Sequence, residues 1–164
     1  MFRFLSGLSH RMPDTPVDRL RLLAQDEEDL AVLSAHMQDA LVRVADMAFV
    51  PKTSVFALVG SRFDWLAAAS GRKQRCQVGL HFDRVLKASR KGLDAAKPED
   101  VLNLLSMTFT VTDAPAGVID LVFSGGAAVR LEVECLEGQL RDLGPRWQTT
   151  LQPGHAGDSE AQTT

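Results

Sequence analysis

Tyrosine is absent from the 164 residues, aromatic residues make up 6%, and cysteine and tryptophan occur twice each. So few rings leave no stacking platform for single-stranded nucleic acid, which needs successive bases to lie on exposed aromatic faces. Two cysteines, Cys76 and Cys135, are too few for a disulfide framework, and nothing in the sequence brings them together. No apolar run approaches the about 20 residues of a membrane-spanning helix. The opening MFRFLSGLSHRMP lacks the apolar stretch of about 7–15 residues found in a signal peptide. A reduced, cytoplasmic setting is therefore expected. Excess charge is lacking too: the formal total is −3, which argues against bulk attraction to nucleic acid or membrane.

Catalytic motifs are equally scarce. No HExxH, CxxC or GxSxG pattern occurs. Gly125-Gly126 is not followed by Lys-Ser/Thr, and no Rossmann fingerprint is found, so neither a phosphate loop nor a dinucleotide site is indicated. No cofactor and no metal site are expected.

What is present is a core. Hydrophobic residues make up 45%, enough for one domain. Residues 1–18, with Pro13 and Pro16, read as a flexible arm. From Thr149 the chain is small and polar and reads as a disordered tail, residues 149–164. The folded part then spans 19–148.

Residues Val118 to Pro145 carry the clearest pattern. Ile119, Leu121 and Phe123 alternate with Asp120 and Val122; Val129, Leu131 and Val133 alternate with Arg130, Glu132 and Glu134. Alternation at period two marks strands with one buried face. Gly125-Gly126 supplies the positive backbone angles of the turn between them. Leu136, Leu140 and Leu143 are then spaced for one face of a helix, closed by Gly144 and Pro145. Upstream, Asp26 is placed to cap a helix, with Asp29 three residues later and acidic Glu27 and Glu28 in its first turn. Leu30, Leu33, Met37 and Leu41 form its apolar face, and His36 between them reads as a structural histidine. Strands are expected at 20–24, 41–49, 54–65, 76–89 and 101–111, with 66–74 as a loop. The expected fold is α+β: one domain of about seven mostly antiparallel strands with two helices. By element order it resembles the pleckstrin-homology type of partly open barrel; a flatter sheet with both helices on one face is the alternative.

Candidate site residues fall in the middle of the chain. His81 and Asp83 share a strand face, an arrangement that can orient an imidazole as a base or ligand. The simpler reading is a solvent-facing pair. Arg62, Asp64 and Trp65 end a strand; they read either as a binding edge or as a strand end where Trp65 closes the core and Arg62 pairs with Asp64 or Asp83. Between residues 72 and 92 stand Arg72, Lys73, Arg75, Arg84, Lys87, Arg90 and Lys91 against Asp83 alone. That segment carries +6 and the chain −3, so the remainder carries −9. Such polarity suits phosphates, RNA or an acidic protein; it equally suits an edge strand guarded by lysines.

The blocks LLAQDEEDLAVLSAHMQDALVRVADMAF, RFDW, GLHFDRV, VLNLLSMTF and LEVECLEGQLRDLGPRW resemble a family of small uncharacterised bacterial proteins, known mainly from alphaproteobacteria and catalogued as a domain of unknown function. The resemblance covers residues 19–148 and implies a bacterial, cytosolic protein; it carries over no catalytic residue. The expected function is a non-enzymatic interaction module binding a protein or a small ligand. An enzyme using His81 and Asp83 near Arg62 and Asp64, and a weak RNA or anion binder through residues 72–91, are the alternatives. Self-association through a free strand edge is compatible with all three.

Overall fold

The computed structural model describes residues 19–150 and 152–154. The expected arm, residues 1–18, and the tail from residue 155 onward lie outside the described residues. The strands are β1 (Arg21–Ala24), β2 (Ala40–Arg43), β3 (Met47–Val50), β4 (Val55–Phe63), β5 (Gln74–Phe82), β6 (Val85–Lys91), β7 (Val101–Val111), β8 (Gly117–Phe123), β9 (Ala128–Val133), β10 (Gly138–Asp142) and β11 (Trp147–Gln148). All eleven belong to one antiparallel sheet, and its main path runs β1-β10-β5-β4-β2-β7-β8-β9-β6. β3 pairs with β4, and β11 with β5. The helices are α1 (Glu27–Met37) and the short α2 (Trp65–Ala69). A mostly-sheet α+β domain is thus present, with eleven strands where about seven were expected.

The difference has local causes. The stretch read as one strand over 41–49 is broken by a 3-10 turn at Val44–Asp46. The stretch 76–89 bends at Arg84, whose φ of 57° is left-handed, so β5 pairs with β4 while β6 turns away to pair with β9. The segment read as a C-terminal helix is β10. Gly138, Leu140 and Asp142 face inward, while Gln139 and Arg141 face out. Two of those three inward residues are not apolar, so the alternation is hidden and the leucine spacing suggests a helix instead. At Gly138 a side chain is sterically barred, since a Cβ would lie 2.8 Å from the Phe82 ring. The second helix lies instead at 65–69, from the last residue of the expected strand into the expected loop. Asp64 caps it, its Oδ1 accepting from the Ala67 amide at 3.0 Å.

The first helix forms where its caps place it. The Asp26 carboxylate accepts from the Asp29 amide at 2.8 Å, and Asp29 accepts from the Gln25 amide at 3.0 Å. Leu30, Leu33 and Met37 are buried, whereas Leu41 already belongs to β2. Together with Val78, Leu80, Phe82, Ile119, Leu121, Phe123, Leu131 and Leu140 they form one core on the inner face of the curled sheet. The sheet is not closed into a barrel: β6 pairs only with β9, and β3 only with β4. That opening defines the site described next.

Candidate functional site

The opening lies between β3 and β6. At one end β6 is pinned to the turn that joins β3 to β4, the Val85 amide donating to the Ser54 carbonyl at 2.8 Å. At the other end the loop of residues 92–100 crosses over. It is tied down by the amides of Val44 and Ala45, which donate to Asp100 and Pro98 at 2.9 Å, and by the Arg43–Glu99 ion pair at 3.0 Å. Between these ends is a cavity of about 380 Å³. Phe56 and Val129, at 4% and 3% exposure, form its floor. Met47, Phe49, Ala88 and Leu93 line the walls. These are core-type side chains left without a covering strand. The size is that of a small-molecule site, and eight of the ten residues that line it are apolar by type.

Among the described residues, Arg90 is the one charged residue lining this cavity. Its orientation follows from the β6–β9 register, which pairs Ala88 with Leu131 and Arg90 with Val129. Directly paired residues share a sheet face, so Arg90 points to the core side, where Leu131 and Val129 are buried. A register shift between Val85 and Lys87 produces this orientation. Among the described residues no carboxylate lies within ion-pair distance of Arg90. Two other depressions are more open: one beneath Trp147 on the outer face of β2 and β4, and one beside the acidic start of α1, near Phe109, Pro115 and Leu136.

The sequence candidates divide into three places. Arg62 and Asp64 join a buried charge network with two residues the sequence analysis did not select, Asp142 and Arg146. Arg62 donates through Nε and Nη2 to both Asp142 oxygens, at 2.8 and 2.9 Å. Asp142 also accepts from the Leu20 amide at 2.9 Å, and Arg146 donates to Asp64. The partner of Arg62 is therefore Asp142, not Asp64 or Asp83. The side chains of Arg62 and Asp142 are 1% and 0% exposed. Burial by itself would raise the Asp142 pKa, but the hydrogen bonds from Arg62 and Leu20 and the charges of Arg62 and Arg146 outweigh it and lower it. Asp64 is lowered likewise: burial again opposes, and the Ala67 amide and Arg146 prevail.

Trp65 and Arg75 brace this network. Trp65 meets Phe63 edge-on at 4.7 Å and donates through Nε1 to the Gln38 carbonyl at 3.1 Å. Arg75 lies over Phe63 and donates to the Ser61 carbonyl at 2.9 Å. Arg72 and Lys73 are exposed on the turn between α2 and β5.

His81 and Asp83 lie elsewhere. Cys76 sits opposite Arg62 and His81 opposite Ala57, five residues along the same ladder, or about 16 Å by strand rise. Arg62 faces the core, whereas His81 and Asp83 are partly exposed, with Nδ1 3.6 Å from Asp83 and Nε2 3.3 Å from Gln139. The four groups do not converge. Arg84 is matched by Glu137 at 3.1 Å and Glu134 at 3.8 Å, so the basic segment is partly neutralised and divided among three surfaces. Among the described residues no cluster of three or more His, Cys, Asp or Glu could hold a metal ion, and no helix is long and apolar enough to cross a membrane.

His36 couples stability to pH. Burial, then the Arg62 charge, lowers its pKa from 6.5, against opposing contributions from Asp142 and Asp64. The unfolded chain takes up this proton first, so the stabilisation is complete above 6.5 and declines as pH falls through that value toward the lower folded pKa. Asp64 and Asp142 add a second loss as pH drops below 3.8. We expect the melting-temperature decrease between about pH 7.5 and pH 5.5 to shrink in His36→Gln. A decrease of the same size in both proteins would exclude His36 as its source.

An open antiparallel sheet with a partly uncovered core and an arginine lining the opening is the class this geometry defines. The family model for a protein of unknown function (DUF2948) matches residues 20–155, and the chain belongs to that family. No curated protein and no solved structure matches the chain.

Proposed function

We propose that this protein is a small-ligand-binding module whose site is the cavity between β3 and β6. The observation that carries the reading is the uncovered stretch of core there, a concave space of about 380 Å³ lined mainly by apolar residue types and bordered by two strands that do not pair with each other. Exposed apolar concavities of this kind gain free energy when an apolar ligand replaces water. The free thiols of Cys76 and Cys135 support a reducing, cytoplasmic setting. Reading the site as catalytic has less support, because no acid–base pair lines the cavity.

Calorimetric titration with 1-octanol, an uncharged apolar probe, tests the reading. Wild-type protein is expected to give saturable one-to-one binding. In Ala88→Leu the added side chain fills the cavity, so binding is lost while thermal stability is kept or raised. Equal heats from both proteins, or no saturable heat from either, would overturn the site.

A further inference from the structure

We infer that the ligand is an apolar small molecule bearing one carboxylate, with Arg90 as the group that receives it. This rests on the β3–β6 cavity being a ligand site. Among the described residues, the cavity lining holds apolar residues, Ser89 and Arg90, and no acidic residue. A cation that is shut away from water on the inner face of a sheet normally has a carboxylate partner, because a buried charge is poorly solvated. Arg62 on the same face shows the rule: it is met by both oxygens of Asp142. Arg90 has the same inward parity, but it is exposed at the mouth of the cavity and has no such partner among the described residues, so a ligand that covers it must supply the counter-charge. Its guanidinium presents a planar fork of N–H donors that matches a carboxylate bidentately. A ligand carboxylate would therefore take, at Arg90, the place Asp142 takes at Arg62, with its apolar part over Phe56 and Val129.

Lys87 and Lys91 do not share this role. Their register partners, Glu132 and Ala128, place them on the outer face of β6. An inward charge on an edge strand also discourages sheet-to-sheet pairing. That role needs no cavity beneath the charge, and it predicts no preference among small ligands.

Octanoate, 1-octanol and octylamine share one apolar chain and differ in charge, so calorimetric titration with each separates the possibilities. Octanoate is expected to bind wild type about tenfold tighter than 1-octanol, as suits one charge-assisted pair, and octylamine weakest. In Arg90→Gln the octanoate advantage should vanish, while 1-octanol binds as before and so reports an intact cavity. If octanoate binds wild type no tighter than 1-octanol, or keeps its advantage in Arg90→Gln, the anion inference falls and the cavity reading stands. If none of the three binds, both fall.

Discussion

Replacing Arg62 with Met is expected to lower the unfolding free energy by about 3–5 kcal/mol, since it leaves Asp142 buried without its main counter-charge. With a urea slope of roughly 2 kcal/mol/M, the denaturation midpoint falls by about 2 M. The side chains involved are almost fully enclosed, and both Asp142 oxygens accept from Arg62. Desolvation is therefore already complete, and only Arg146, at 3.6 Å, remains beside the carboxylate. The double variant Arg62→Met/Asp142→Leu should recover part of the loss, because removing both charges leaves no orphan. Recovery stays partial, since the Leu20 amide loses its acceptor as well. A single-variant shift of less than about 1 kcal/mol would place the network among exposed ion pairs of little consequence.

The second large effect distinguishes a strand from a helix at the C-terminal end. Leu140 is fully buried in β10 between β1 and β5, whereas Leu143 is 40% exposed and rests against Gly79. Leu140→Ala is expected to cost about 2–5 kcal/mol, the range for emptying a packed leucine site. Leu143→Ala should cost less than half as much. On a helix whose apolar face held Leu136, Leu140 and Leu143, the two losses would be similar. Chemical denaturation of both variants measures the ratio, and near-equal costs would contradict the strand.

These results bear on what the sequence makes legible. Strands β8 and β9 follow directly from their alternation, and α1 from its caps and leucine spacing. The segment 138–142 does not, because Gly138 and Asp142 occupy buried positions that apolar residues usually hold. Each is there for a partner distant in sequence: Gly138 for the Phe82 ring and Asp142 for Arg62. Local pattern carries no trace of either. The charge network is half legible for the same reason. Arg62 and Asp64 stand out at a strand end, but their partners Asp142 and Arg146 become visible only once β10 is laid beside β5.

The cavity is the least legible feature. Its floor and walls are ordinary core residues by type, and their lack of cover is a property of the topology. Arg90 falls within the basic segment, yet its direction is concealed. Counting by twos from the buried Val85 puts Lys87, Ser89 and Lys91 inward. The bulge at Leu86 reverses that parity and turns Ala88 and Arg90 in. Irregularities of one residue thus decide which cation meets the cavity, and one positive-φ residue, Arg84, decides that β6 leaves β4 to create it.

Methyl NMR of the wild-type protein titrated with octanoate tests the central claim most directly, because it locates the ligand. The methyl groups of Met47, Ala88, Leu93 and Val129 should shift with one common saturation curve, while those of Met37, at the C-terminal end of α1, and Val59, on the outer face of β4, stay in place. Shifts centred instead on Val59 and Val101, or on Val111 and Leu136, with Met47 and Ala88 unmoved, would contradict a ligand site between β3 and β6.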